Sequence, residues 1–310
     1  MNTFDEALGG AFGDRVERGV PLAGLTTFRV GGPAQWLLET RTSDEVLMAI
    51  RMAGQHGVKL TMLGGGSNVL VADAGIRGLV IRARGGEIRA GDPGIVRADA
   101  AVTINGLVRW TINHNLAGLE AWAGTPGTVG GAVFGNAHFG GRLIGELIAS
   151  VRLASRGGEV VEVPTSEMAF GYDRSRLQGS GEILLSADFR VTGGSAAALR
   201  ATARESLAFR KRTQPLDSRS AGCVFQNPQP GEDRVPDGIP WSAGALVDRA
   251  GLKGTSIGGA QVSPAHGNFV INRGSATAAD IRRLIEHCRR VVLERFGVSL
   301  REEIVYLGDW

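Results

Sequence analysis

The chain has 310 residues, of which 43% are hydrophobic and 21% charged, with a formal net charge of +3. This composition excludes a disordered polymer, and the length allows two domains with more than one core. The 34 basic residues are scattered among 31 acids, so neither nucleic acid nor an anionic membrane is expected as a partner, while a few local anion sites remain possible.

The start, "MNTFDEALGGAFGDRVERG", is acidic and broken by glycines where a signal peptide needs a basic flank and an apolar run. No stretch of about 18 consecutive apolar residues follows, so a cytoplasmic protein is expected. Thr42 and Glu45 form a capping box ahead of Val46, Leu47 and Ile50, and Gly54 and Gly57 end that helix, which suggests an early β-α-β unit. "VKLTML" reads as a strand that runs into Gly64-Gly65-Gly66-Ser67-Asn68, but "VLVAD" and "IRGLVIRA" come next and are again strand-like. The helix that a Rossmann or P-loop site requires at this point is missing.

Short strands dominate as far as residue 192: "GIVRADA", a hairpin "SVRLASRGGEVVEV" turning at Gly157-Gly158, and "EILLSADFRV". One helix near "INGLVRWTINHNLAG" interrupts them. After Gly193-Gly194 come the helix "SAAALRATARESLAFRKRTQP", closed by Pro215, then loops, a strand "GNFVIN", a long capped helix and a final strand "EEIVYLG". The expected division is therefore 21–192 and 193–310.

Two cysteines far apart, without a secretory signal, give no reason to expect a disulfide. Cys288 falls on a helical stripe with Ile281, Leu284, Ile285, Val291 and Val292 and reads as a small core residue. Cys223 lies in "SRSAGCVFQNP", where its neighbours leave open a nucleophile, a metal ligand, a proton donor or a packing residue. The histidines at 56, 114, 138, 266 and 287 show no spacing suited to metal ligation with each other or with either cysteine, and no metal is expected.

Gly64 to Asn68 offer consecutive backbone N–H groups with no side chain to block an anion. "AGTPGTVGGAVFGNAHFGG" brings Gly124, Gly127, Gly130, Gly131 and Gly135 together with the stiff Pro126 as a second cradle. Each alone is more often a tight turn than a site; two together suggest a pyrophosphate.

With these loops on the page, the chain resembles the UDP-N-acetylenolpyruvoylglucosamine reductase family. The resemblance is carried by "TTFRVGGPA" (26–34), "LGGGSN" (63–68), "AGTPGTVGGAVFGNA" (123–137), "SAGCVFQNP" (220–228), "AGALVDRAGLKGTSIGGAQVSPAHGNFVIN" (243–272) and "LREEIVYLG" (300–308), in family order. It implies an α+β fold: an FAD-binding domain of the vanillyl-alcohol-oxidase type over 21–192, then a smaller α+β substrate domain over 193–310 whose terminal strand, 300–308, contributes to the active site. The implied activity is NADPH-dependent reduction of a UDP-sugar enolpyruvyl ether to UDP-N-acetylmuramate, for peptidoglycan precursors, through dissociable FAD.

The resemblance implies that Gly64, Gly65, Gly66, Ser67 and Asn68, with Gly124, Pro126, Gly127, Thr128, Gly130 and Gly131, hold FAD. It makes Cys223 the proton donor, a position that is serine in most of the family and cysteine in some members. Glu303 takes the place of the catalytic glutamate, with Glu302 where a proline is usual. Asn227, Lys253 and His266 match substrate-side positions, and Lys211 and Arg212 are expected partners of the diphosphate. Three departures stand out. Gln226 replaces a lysine, and His138 stands where the family tends to have a small residue and, in relatives of this fold, a histidine can tether flavin. Asp173 occupies the arginine position of a Tyr-Arg-x-Ser pattern. Arg174 is therefore the expected catalytic arginine, with Arg176 as its alternative. An oxygen-using FAD oxidase of the same fold and a nucleotide-binding module without chemistry are the competing readings.

Overall fold

A computed structural model describes residues 3–310. The chain divides into two compact units. The first holds the residues through Gly19, Gln35–Gly65 and Gly78–Phe209; the second holds Val20–Ala34, Gly66–Arg77 and Arg210–Trp310. The sequence reading draws a single boundary at Gly193-Gly194, whereas the last crossing lies at 209/210, inside the helix Ala196–Thr213. Two early segments also enter the second unit, because they pair with strands far away in sequence, a connection that local composition does not record.

In the first unit a four-stranded sheet runs in the order Val16–Pro21, Pro33–Thr40, Ile76–Ala83, Leu60–Leu63. The last two are parallel, with Leu60 opposite Leu79 and Met62 opposite Ile81. Leu79, Val80 and Ile81 are all buried, the unbroken apolar run of a strand covered on both faces. The helix Ser43–Gln55 contributes Val46, Ala49, Ile50 and Ala53 to that cover. Half of the expected capping box forms: Thr42 Oγ1 accepts from Glu45 N, while the Glu45 carboxylate accepts from Arg41 N and from Arg15. The β-α-β reading survives with one change, since Ile76–Ala83 inserts between the two strands that flank the helix.

The glycine-broken start folds into the helix Thr3–Phe12, which the sequence reading does not anticipate. Phe4, Leu8 and Phe12 recur every four residues on its buried face, and their burial offsets the low helix propensity of Gly9 and Gly10.

A second sheet of this unit is antiparallel, in the order Val160–Pro164, Ile148–Ala154, Ile183–Arg190, Ile95–Asp99, Ile88–Ala90. The Gly157-Gly158 hairpin forms where expected, with Gly158 at φ +82°. This sheet and the helix Ile104–Asn113 enclose a core centred on Trp122, Val129, Leu153 and Phe189.

The second unit is built on the helix Ala278–Phe296, started by a full capping box between Thr277 and Asp280. The carboxylate of Asp73 also accepts from the N–H groups of Ala278 and Ala279, at 2.8 and 2.9 Å. The helix packs on a small sheet, Ser256–Ile257, Ala260–Val262 and Val270–Asn272. Cys288 lies in this core, as the stripe predicts; burial pushes its thiol up to about 12. Val305–Leu307 pairs in parallel with Val69–Val71. Among the described residues no helix is long and apolar enough to cross a membrane.

Candidate functional site

In the first unit the strand Leu60–Leu63 delivers Gly64 and Gly65 directly against Gly127 and Thr128. A Cβ at Gly65 would lie 2.8 Å from the Gly127 Cα, and one at Gly64 would lie 2.7 Å from Thr128 Oγ1. No side chain fits there, so two stretches of bare main chain meet. Gly124 and Gly127 have φ of +82° and +101°, values that L residues with side chains rarely adopt.

Part of the second loop is satisfied internally. Gly124 N donates to Asn105 Oδ1 at 2.7 Å, Gly130 N to the Ala100 carbonyl at 2.8 Å and Gly131 N to Thr128 Oγ1 at 3.3 Å. The amides of Gly65, Gly127 and Thr128 donate to no acceptor among the described residues. Thr128 is buried, and a buried amide of this kind calls for an acceptor from a ligand or water. The cradle therefore fits the phosphate-rich cofactor that the sequence implies.

Behind the cradle, the short helix Val129–Phe134 ends in a buried Asn136 at φ +45°. Its side chain donates to the Gly171 carbonyl at 2.7 Å and accepts from Gly145 N at 2.9 Å. Ser175 Oγ donates to the Phe134 carbonyl at 2.6 Å. These bonds fix the segment of His138 beside the turn of Tyr172 and Asp173. His138 Nε2 lies 3.3 Å from Asp173 Oδ1, and its ring centroid lies 4.8 Å from that of Tyr172. Asp173 is buried and Arg174 exposed. Arg176 makes a two-pronged ion pair with Glu182 at 2.8 Å, which holds that carboxyl below its usual range.

In the second unit three distant segments are laced together. Val224 N donates to the Asn268 carbonyl and Glu303 N to the Val224 carbonyl, both at 2.9 Å. Gln226 N donates to the Arg301 carbonyl at 2.9 Å. The buried Asn268 side chain accepts from Phe225 N at 2.9 Å and donates to the Phe225 carbonyl at 2.7 Å. Cys223, half-buried, therefore stands on a backbone fixed from both sides, next to the segment of Glu303.

Gly66 has φ +65°, with room for no Cβ against the Leu25 carbonyl. Asn68 Nδ2 donates to the Glu303 carbonyl at 3.1 Å, and Val305 N donates to the Asn68 carbonyl at 2.9 Å. Glu302 is engaged by Arg289 at 2.8 Å, which separates the roles of the two adjacent carboxylates.

Of the basic residues at the end of the long helix, Lys211 and Arg212 are exposed, while Arg210 is only 6% exposed. Burial lowers the Arg210 guanidinium to about 10, an effect that the charge of the neighbouring Cys223 sulfur opposes. The sequence reading misses Arg210. Its signal is the spacing Leu199, Ala203, Ser206, Arg210, one face of the helix, which turns Lys211 and Arg212 outward. Asn268 has no comparable local signal.

The remaining substrate-side candidates are anchored. Asn227 Oδ1 accepts from Ala243 N at 3.0 Å, at the start of the helix Ala243–Arg249. Lys253 pairs with Asp248 at 2.7 Å. His266 Nδ1 accepts from Asn268 N at 3.1 Å; burial and then the Lys253 charge lower its pKa, which favours the neutral ring with its proton on Nε2.

Comparison with known proteins matches residues 34–164 to an FAD binding domain and residues 214–307 to the C-terminal domain of UDP-N-acetylenolpyruvoylglucosamine reductase. A protein of that name from Parasynechococcus marenigrum is 40% identical over 93% of this chain and 95% of its own length. One from Desulfosudis oleivorans is 36% identical over 99% of both. The crystal structure of the UDP-N-acetylenolpyruvylglucosamine reductase from Thermus caldophilus aligns with a TM-score of 0.78 at 33% identity, covering 95% of this chain and 99% of that one.

Proposed function

The chain belongs to the UDP-N-acetylenolpyruvoylglucosamine reductase family, and on that premise we propose how its own residues serve an FAD-dependent reduction in peptidoglycan precursor synthesis. FAD, when bound, relays a hydride from NADPH to the enolpyruvyl group. Gly64, Gly65, Gly66, Ser67 and Asn68, with Gly124, Pro126, Gly127, Thr128, Gly130 and Gly131, are the residues we assign to holding it. The observation in support is the pair of bare backbones, with amides of Gly65, Gly127 and Thr128 left for a ligand.

Hydride addition to the outer carbon of the enol ether leaves negative charge on the inner carbon and its carboxylate. The chain must then supply an electropositive group for the carboxylate and a proton for the carbon. We assign the proton to Cys223. Loss of that proton leaves a thiolate, and the nearby buried guanidinium of Arg210 stabilises it until solvent reprotonates the sulfur. Glu303, whose backbone is bonded to Val224 and Asn68, is the carboxylate assigned to the same proton path. Arg174, exposed on its turn, is assigned to the substrate carboxylate, and Lys211 and Arg212 to the diphosphate. Asn227, Lys253 and His266 complete the substrate contacts.

The observation that carries this reading is the lacing of the Cys223 and Glu303 segments by main-chain bonds, which brings an acid and a carboxylate from distant parts of the sequence onto neighbouring strands. The test is anaerobic: reduce the purified flavoprotein with NADPH, then add the enolpyruvyl sugar nucleotide. Prompt reoxidation of the flavin is expected; a flavin that stays reduced would overturn the proposal.

A further inference from the structure

Resting on that reading, a question remains about the positive charge near residue 173. The charge that develops on the substrate carboxylate calls for a donor held in place before the reaction, because a fixed donor costs no reorganisation at the transition state. Arg174 is exposed and Arg176 is engaged by Glu182. At the position where the resembled family has arginine stands Asp173, a buried carboxylate in the left-handed conformation, φ +50°.

A buried carboxylate is costly unless it is paired. Asp173 Oδ1 faces His138 Nε2 at 3.3 Å, and Asp173 Oδ2 is buried with no hydrogen-bond donor among the described residues. Protonation of His138 compensates this carboxylate and leaves a cation on the imidazole, whose side chain is 29% exposed. The ring is fixed by Asp173 and Tyr172, and its segment by Asn136 and Ser175. His138 is itself a departure from the family sequence, standing where a small residue is usual. Thus two departures, far apart in the chain, meet in space: a negative charge has replaced a positive one at 173, and a group able to carry a positive charge has appeared opposite it.

We propose that His138, held by Asp173, is a further catalytic residue of this enzyme, donating a hydrogen bond to the substrate carboxylate, with Asp173 as its positioning residue. Binding to the oxidised flavoprotein tests this without turnover. Two probes are compared: UDP-N-acetylmuramate, which carries the carboxylate, and UDP-N-acetylglucosamine, which lacks it. His138→Ala should weaken the first by roughly 10- to 100-fold, the range of a lost charge-assisted hydrogen bond, and leave the second unchanged. Asp173→Asn should weaken the first in the same direction.

The reciprocal exchange adds a readout that a merely structural pair would not give. Asp173→Arg alone sets a guanidinium against His138, and His138→Gly alone leaves Asp173 uncompensated; the double variant should recover carboxylate binding beyond the sum of the two losses. Flavin content identifies any variant that fails to fold, and Asp173→Asn, nearly isosteric, keeps the comparison available. If His138→Ala retains the full preference for the carboxylate-bearing nucleotide, or if the double variant is merely additive, the assignment of His138 is wrong. A wild-type protein that binds neither nucleotide would instead refute the functional reading itself.

Discussion

The cradle of the first unit and the laced segments of the second reach function by opposite means. At Gly64, Gly65 and Gly127 the chain works by having no side chains: main chain touches main chain, and unspent amides face outward. Around Cys223 it works through side chains, and the backbone bonds of Val224, Phe225, Gln226 and Glu303 serve to aim them. The first arrangement is intolerant of any added atom. The second tolerates isosteric exchange but not a change of chemistry.

The largest expected effect tests the intolerance. Gly127→Val adds a branched side chain where φ is +101° and the Gly65 backbone is in contact; the purified variant should carry almost no flavin, measured as flavin released per chain on denaturation. Flavin at the wild-type stoichiometry would mean that the cradle does not hold it.

Second comes the chemistry of Cys223. Cys223→Ala should keep flavin reduction by NADPH and slow reoxidation by the enolpyruvyl substrate by about 10²- to 10⁴-fold, the usual contribution of a general acid. Cys223→Ser should recover much of the rate, because a hydroxyl also donates a proton. Stopped-flow traces of both half-reactions decide it, and reoxidation of Cys223→Ala at the wild-type rate would reduce Cys223 to packing.

A smaller effect separates aiming from chemistry. Asn268→Ala removes both partners of the Phe225 backbone groups, and leaving them buried and unsatisfied should cost about 3 kcal/mol in denaturant unfolding. Cys288→Ala, in the core of the same unit, should cost only about 1 kcal/mol and leave both half-reactions intact. Equal costs for the two would show that the laced segments owe nothing to Asn268.

The smallest expected effect is a pH dependence. His266 has a folded pKa lowered by burial and then by Lys253, so its neutral form is favoured in the native state. Its contribution is fully present above the unfolded value of about 6.5 and is lost as pH falls through the folded pKa, because the unfolded chain takes up the proton first. Unfolding midpoints of wild type and His266→Gln should therefore diverge over that window, and parallel curves would remove His266 from the account.

The sequence by itself determined whatever is local or periodic. The hairpin at Gly157-Gly158, the helix beginning at Thr42, the capped helix of the second unit and the core place of Cys288 follow from turn chemistry and a 3.6-residue repeat, which need no distant partner. The two glycine loops were visible for the same reason, since bare backbone is written directly in the composition. Tertiary structure alone decided that the loops meet at Gly65 and Gly127, that Arg210 rather than Lys211 or Arg212 turns inward, and that Asp173 faces His138. The helix Thr3–Phe12 and the segments near residues 20–34 and 66–77 belong here too: burial against distant strands outweighs local glycine content and carries these segments into their units. Each of these contacts joins residues remote in the chain, and the free energy that selects them comes from burial and pairing, which local spacing does not encode.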